Sequence, residues 1–258
     1  MRAIHAVAYG VVIAGAGVLV TLCVAADSGT EIGAYTTSLV GRSEAQRHNA
    51  RLAAEALDGA EIAPGGVLSF NDLAGPWSAD TGYDKAPVSF SGELVDAYGG
   101  GVCQTSTTLY NAALLAGMQI LERHRHNWPP GYVAPGRDAA VAFGALDLRV
   151  RNPYDQTLRA RASCTGDSLV VRIVGEREPD CRARIERTVH RVIEPTTVVR
   201  YSGLLPVGAR RTDVGGRPGY SVTTRRVFAR GDEVVRRELV SYDDYDCLNG
   251  LITVGTGR

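Results

Sequence analysis

Apolar side chains recur with a helical period in two segments of the chain. The first spans Ser43 to Leu57, where Ser43 and Gln46 have the spacing of a capping box. The second spans Cys103 to Ala116 and is terminated by Gly117. Because three glycines precede the second segment, the pattern predicts a glycine loop that enters a helix close to Cys103.

Much of the remaining chain shows the alternation of apolar and polar residues that is typical of β-strands. Short strand-like runs surround the Pro-Gly-Gly turn that begins at Pro64. Further on, AVAFGALDLRVRN, QTLRARASC and SLVVRIVGE predict a β-meander, in which Thr165, Gly166 and Asp167 join the last two strands. This part of the chain is therefore predicted to be α+β.

A change of pattern near Glu178, Pro179 and Asp180 indicates a linker. From Arg184 onward the sequence has strand-like runs, including a hairpin of SVTTRRVFA and EVVRREL, and it has no long helical pattern. We therefore predict an α+β domain over residues 27–178 and a small all-β domain over residues 184–256.

The N-terminus has the three-part layout of an export signal. Arg2 precedes an uncharged run from Ala6 to Ala26, and Val24, Ala25 and Ala26 form an A-x-A-like cleavage site. The same run is long enough to cross a bilayer once. Residues 1–26 are therefore predicted to be either a cleaved signal peptide or a single membrane anchor, which places the rest of the chain outside the cytoplasm.

Composition and charge exclude some classes of function. The 258 residues carry 28 Lys+Arg against 28 Asp+Glu, and 45% of them are hydrophobic. These values are typical of an ordinary globular protein. A zero formal charge argues against a nucleic-acid partner, which needs a basic surface. We predict no cofactor and no metal, and the sequence leaves the oligomeric state open.

The predicted location would allow disulfide bonds among the cysteines. Cys164 and Cys181 would close a short loop around the predicted hairpin, so they are the preferred pair. The alternative, that the cysteines are reduced and packed as small apolar residues, stays open.

Cys103 is the candidate nucleophile. A helix N-terminus favours the thiolate, because the helix dipole and the free N–H groups stabilise negative charge. The same N–H groups could hydrogen-bond the oxyanion of a tetrahedral acyl intermediate. The candidate residues for the oxyanion or for substrate binding are Gly99, Gly100, Gly101, Gln104, Ser106 and Arg137.

A histidine could act as general base for this thiol. The predicted helix is about 20 Å long, and an antiparallel strand covers that rise in roughly six residues. This places His124 level with Cys103, and His126 two residues further on the same strand face. Asp138 is the nearest candidate to orient the imidazole.

Other interpretations of these residues stay open. Cys103 could be a packing residue, and Asp138 could be a turn-forming residue. Cys103, His124 and His126 could instead bind a metal, although no fourth ligand has a suitable spacing.

Several long motifs resemble the VanW domain, which is found in bacterial cell-envelope proteins. The resemblance covers about Ala34 to Glu176, more than half of the chain. It is carried by YTTSL, RHNARLAAEALDGAEIAPGGVLSFNDLAGP, GELVDAYGGGVCQTSTTLYNAALLAGMQILERHRHNWP and YVAPGRDAAVAFGALDLRVRNP.

The tail, from about Ile185 to Thr256, resembles the five-glycine domain of bacterial surface proteins. This resemblance is carried by LPVGARRTDVGGRPGYSVTTRRVFARGDEVVRREL and by ITVGT, and the Asp-Asp-Tyr-Asp-Cys insertion before Leu251 departs from the pattern. It implies contact with cell-wall carbohydrate.

The VanW resemblance implies a protein that acts on peptidoglycan, as a cysteine L,D-transpeptidase that forms 3-3 cross-links. Cys103 would then attack the carbonyl of a stem peptide and pass the acyl group to an amine. The alternatives are a non-catalytic module that binds peptidoglycan or glycan, and a cysteine peptidoglycan hydrolase. A role in vancomycin resistance need not follow from the family's name.

Overall fold

The computed structural model describes residues 29–90 and 93–257. The predicted signal peptide or anchor, at residues 1–26, lies outside the described residues. Within them, no helix has the length and apolar character that a membrane crossing requires. Most of the described secondary structure is β, so the α+β prediction is confirmed only in part, for the region before residue 176.

Three α-helices are described, namely α1 (Glu44–Leu57), α2 (Phe70–Ala74) and α3 (Val102–Leu115). The predicted capping box of α1 is confirmed, since the Ser43 side chain accepts from the Gln46 N–H and the Gln46 side chain accepts from the Ser43 N–H. The predicted second helix is also confirmed, and Gly117 follows it with a positive φ of 74°.

The strands before residue 176 form three sheets. The largest is antiparallel, in the order β1-β9-β8-β2, and the others have the orders β3-β7-β6 and β4-β5. Their bounds are β1 (Thr30–Ser38), β2 (Glu61–Ile62), β3 (Val67–Ser69), β4 (Lys85–Phe90), β5 (Glu93–Tyr98), β6 (Gln119–Glu122), β7 (Arg149–Arg151), β8 (Leu158–Thr165) and β9 (Ser168–Gly175).

Helix α3 lies in the centre of this region, packed against β1, β9 and α1. Its buried hydroxyls are bonded inside the core, as in the 2.9 Å contact of Thr37 Oγ1 with Thr108 Oγ1 and the 3.0 Å bond from Thr105 Oγ1 to the Ala50 carbonyl. Strand β1 passes so close to α3 that a Cβ on Gly33 would lie 2.4 Å from the Ala116 nitrogen. The position of α3, and thus of Cys103, is therefore set by dense packing.

The chain after residue 181 contains only strands among its described elements, as predicted. They form two three-stranded sheets, in the orders β10-β13-β14 and β11-β15-β12. The predicted hairpin is confirmed as β13 and β14, with Gly231 in its turn at a φ of 57°. The bounds are β10 (Arg182–Ile193), β11 (Thr197–Pro206), β12 (Arg210–Val214), β13 (Gly219–Arg230), β14 (Glu233–Tyr245) and β15 (Gly250–Gly257).

The short strand-like runs predicted around Pro64 are β2 and β3. The run FNDLA that follows them forms the short helix α2, because the Ser69 hydroxyl caps it by accepting from the Asp72 N–H at 3.1 Å. The prediction of one three-stranded meander was wrong, since β8 and β9 form a hairpin while β7 pairs with β3 and β6 in another sheet.

The preferred disulfide was also wrong, since the four described cysteines are free. Cys164 lies at the turn end of the β8–β9 hairpin, whereas Cys181 follows the opposite end of β9. A strand of that length separates the two ends by roughly 20 Å. This distance is far beyond the reach of a disulfide.

The β13–β14 hairpin packs on the end of α3. The buried Arg226 guanidinium donates to the Met118 carbonyl at 2.6 Å and to the Leu114 carbonyl at 3.3 Å, and it pairs with Glu238. The Thr224 hydroxyl donates to the Gly136 carbonyl at 3.1 Å. The two predicted domains are therefore joined by buried polar contacts as well as by the linker.

We expect Arg226→Met to lower the free energy of unfolding by about 2 kcal/mol or more, because two carbonyls and the Glu238 carboxylate lose their donor. Urea denaturation measures the change. Arg225→Gln, at an exposed position of the same strand, is the control and should change stability by less than about 0.5 kcal/mol. Equal effects of the two changes would contradict the prediction.

Candidate active site

The loop before α3 must consist of glycines, because neighbouring atoms leave no room for side chains. A Cβ on Gly101 would lie 2.3 Å from the Gln46 carbonyl oxygen, and a Cβ on Gly100 would lie 2.8 Å from Ala86. Gly99 and Gly101 have positive φ values of 84° and 111°. Gly101 is the N-cap of α3, so Cys103 is the second residue of the helix, as the sequence predicts.

Cys103 is partly buried, and its Sγ lies 3.5 Å from the Val141 carbonyl oxygen. Burial alone would raise its pKa. A hydrogen bond with His126 and the positive charge of that imidazole outweigh burial, and they hold the Cys103 pKa below the ordinary thiol value. The N-terminal end of the helix dipole favours the thiolate as well.

His126 is held by Asp138. Its Nδ1 lies 2.7 Å from Asp138 Oδ2, and its main-chain N–H donates to the same oxygen at 2.7 Å. Burial would lower the pKa of His126, but the bonds to Asp138 and Cys103 raise it to about 9. Burial would likewise raise the pKa of Asp138, but His126 and Arg123 lower it to about 2.

Cys103, His126 and Asp138 thus form one connected chain of side chains. The pKa directions favour a thiolate beside an imidazolium, with a carboxylate behind the imidazolium. This is the arrangement of an activated cysteine nucleophile with an oriented general acid and base.

His124 is not brought to Cys103. Its Nε2 lies 2.9 Å from Glu122 Oε1, and the Asp147 N–H donates to the same oxygen at 3.1 Å. Strand β6 ends at Glu122, so the alternation assumed from the sequence does not continue to His126. The prediction that His124 and His126 share a strand face was therefore wrong. His124 forms an isolated antiparallel bridge with Ala140, one residue from Val141, whose carbonyl contacts Cys103.

The other predicted residues near Cys103 bond to the protein itself. Gln104 Nε2 donates to Thr37 Oγ1 at 3.1 Å and to the Ser38 carbonyl at 2.8 Å. The Ser106 hydroxyl donates to the Ala139 carbonyl at 2.7 Å and so holds the segment that carries Asp138. Arg137 Nε donates to Asn111 Oδ1, which ties this segment to α3.

Sequence reasoning missed five residues around the site. Arg123 and Tyr245 contact the Asp138 carboxylate, and Arg123 also pairs with Asp243. Arg42 lies over Tyr132, with Cζ 5.0 Å from the ring centroid. Asp243 and Tyr245 are more than a hundred residues from Asp138 in sequence, and no local pattern signals such a contact.

Tyr132 lies under the Arg42 guanidinium, in the loop that leads to Asp138. Burial raises the pKa of its hydroxyl, and the negative charges of Cys103 and Asp138 raise it further. The Nε of Arg42 is buried and has no hydrogen-bond partner among the described residues. A guanidinium with an unbonded Nε is suited to binding an anionic group.

Comparisons with known proteins agree with the resemblance seen in the sequence. A family model described as "VanW like protein" matches residues 45–174, which is half of the chain. The uncharacterized protein YoaR of Bacillus subtilis (strain 168) is 39% identical over 141 residues, which is 55% of this chain and 46% of that protein.

The vancomycin B-type resistance protein VanW of Enterococcus faecalis (strain ATCC 700802 / V583) is 30% identical over 142 residues, which is 53% of this chain and 52% of that protein. The matches thus span about half the length of both curated relatives.

Two solved structures match part of the chain. The G5 domain of an IgA1 protease is 24% identical with a TM-score of 0.23, and it covers 32% of this chain and 96% of its own. The G5 domain of HP0197 is 17% identical with a TM-score of 0.18, and it covers 30% of this chain and 100% of its own.

We expect iodoacetamide to alkylate Cys103 with a midpoint pH below the ordinary thiol value of about 8.5, because the His126 imidazolium stabilises its thiolate. Cys164, whose pKa is raised by burial, is the internal control and should react at higher pH. Peptide mass spectrometry of the alkylated protein measures both rates. His126→Gln should move the Cys103 midpoint upward, and an unchanged midpoint would refute the pairing.

Proposed function

Because the chain belongs to the VanW family, we propose that it is an exported cell-envelope protein that acts on peptidoglycan as a cysteine acyltransferase of the L,D-transpeptidase type. The observation that carries this proposal is the Cys103 thiol at a helix N-terminus beside an imidazole that a buried carboxylate orients. The Enterococcus relative is a vancomycin resistance protein, which supports a role in the cell envelope.

In the proposed reaction, the Cys103 thiolate attacks a carbonyl carbon of the donor stem peptide. The tetrahedral intermediate collapses to a thioester as the C–N bond breaks, and the His126 imidazolium gives its proton to the leaving amine. Neutral His126 then takes a proton from the acceptor amine as that amine attacks the thioester. A new amide forms, Cys103 leaves as the thiolate, and His126 is again the imidazolium.

The glycine loop would stabilise the oxyanion of each intermediate. The N–H groups of Val102 and Gln104 already donate to the carbonyls of Gly99 and Gly101, each at 3.0 Å. The oxyanion would therefore be received by the N–H groups of Gly100, Gly101 and Cys103. A side chain on Gly100 or Gly101 would collide with Ala86 or Gln46 and displace these donors.

Arg42 would anchor the donor peptide. Stem peptides carry carboxylates, and a guanidinium with a buried, unbonded Nε matches such a group. Tyr132 supports the guanidinium from the side of the loop that leads to Asp138. The anchor and the nucleophile would then hold two points of one extended peptide.

A non-catalytic role in binding cell-wall glycan is the second candidate. Strand β11 exposes apolar side chains, with Tyr201 70% and Leu204 95% exposed. Exposed aromatic side chains suit sugar rings, since one face of the ring is apolar. In this case binding would be independent of Cys103.

Incubation of the chain from Asp27 onward with disaccharide tetrapeptides, followed by mass spectrometry, tests the proposed activity. We expect cross-linked dimers or a Cys103 acyl adduct, and we expect both to be absent from Cys103→Ala. Cys247→Ala, which removes a free cysteine of the second domain, is the matched control and should retain activity. Cleaved stems without dimers would indicate a hydrolase, and unaltered substrate that binds both variants would favour the glycan-binding role.

Arg42→Gln tests the carboxylate anchor. We expect KM for the donor peptide to rise about tenfold or more, which is the effect of losing one charge-assisted hydrogen bond, while kcat changes little. For a donor whose carboxylate is amidated, KM should be the same in the variant and in the original protein. Arg51→Gln, at an exposed position of α1, is the control. An equal rise in KM for both variants would exclude the anchor.

A further inference from the structure

A buried polar cluster connects the Asp138 carboxylate to the β13–β14 hairpin. Its members are Arg123 and Asp138 from the first domain, and Asp243 and Tyr245 from β14. Asp138 and Tyr245 are 0% and 2% exposed. We propose that Tyr245 and Asp243 are positioning residues of the active site, so that the C-terminal β-domain completes the catalytic arrangement. This inference rests on the proposed role of Cys103, His126 and Asp138.

The two oxygens of the Asp138 carboxylate are bonded from opposite directions. Oδ2 accepts from the main-chain N–H and the imidazole of His126, each at 2.7 Å. Oδ1 accepts from the Tyr245 hydroxyl at 2.5 Å and from Arg123 Nη2 at 3.1 Å. Rotation of the carboxylate about its last torsion would break bonds on both sides. The second domain therefore supplies one of the four donors that hold this group.

Tyr245 is itself fixed in this orientation. Its hydroxyl oxygen accepts from the Gly136 N–H at 2.8 Å, so its proton is directed to Asp138. Burial, followed by the charge of Asp138, raises the Tyr245 pKa, so the hydroxyl remains a donor throughout the neutral range. The Arg125 guanidinium lies 5.5 Å from the centroid of the Tyr245 ring.

Asp243 acts through Arg123. Its Oδ1 accepts from Arg123 Nη1 at 2.5 Å, and its Oδ2 accepts from the Ser241 hydroxyl at 2.7 Å. Arg123 in turn donates from Nε to the Asp138 carbonyl at 2.7 Å. The Arg123 guanidinium is thus bonded to a carboxylate from each domain. Asp243 therefore fixes the orientation in which Arg123 donates to Asp138.

Stability alone does not explain this cluster. Buried ion pairs contribute little net stability, because removing charges from water offsets their attraction. Apolar side chains of similar volume would pack the same interface without that penalty. The polar members do what apolar residues cannot, since they set the orientation and the effective charge of the carboxylate that holds His126.

The pH dependence of Cys103 alkylation in the full chain tests the proposal through Tyr245→Phe. Without the hydroxyl, the negative charge of Asp138 is less offset and its orientation is looser, and both effects disfavour the Cys103 thiolate. We expect the midpoint to rise by about half a pH unit. Tyr242→Phe, on the same strand and 60% exposed, should leave it unchanged.

Asp243→Asn provides a second variant if Tyr245→Phe fails to fold, and it should move the midpoint in the same direction by a smaller amount. The assay requires no transpeptidase turnover, so it separates this proposal from the proposed function. A depressed midpoint that is the same in the original protein and in the folded variants would overturn the positioning role. An ordinary midpoint in the original protein would overturn both proposals.

Discussion

The buried Asp138 carboxylate is the constraint on which the rest of the site depends. A charge with no access to water is stable only when its oxygens are fully hydrogen-bonded. Four donors meet this need, and they come from the His126 loop, from Arg123 after β6 and from Tyr245 at the end of β14. The elements that carry these donors must converge on one point. This requirement links the two domains and fixes the imidazole against Cys103.

Helix α3 supplies the other half of the site. Its polar residues are buried, and their hydroxyls bond to neighbouring main-chain carbonyls and to Thr37. These bonds lock the rotation of the helix about its own axis, so Cys103 is directed to Val141 and His126. The glycine loop lets β4 and α1 approach the N-terminus closely. A fixed thiol and a fixed imidazole therefore meet at the N-terminus of α3, as the proposed acyl transfer requires.

Local patterns predicted the elements whose stability is local. The capping box of α1, the glycine loop before α3, the β8–β9 hairpin and the β13–β14 hairpin follow from neighbouring residues, and the structure confirms them. Predictions that needed distances between elements failed more often. The disulfide of Cys164 with Cys181 ignored the length of β9, and the placement of His124 assumed a longer β6.

By itself, the sequence determined the family, the nucleophile candidate at a helix N-terminus, and the short set of histidine and aspartate candidates. These depend on motif spacing and on helix and turn propensities, which act over a few residues. Only the tertiary structure selected His126 over His124 and brought Tyr245 and Asp243 to Asp138. The reason is physical, since contacts between residues more than a hundred positions apart are set by the packing of β13 and β14 on α3, and no local periodicity encodes that packing.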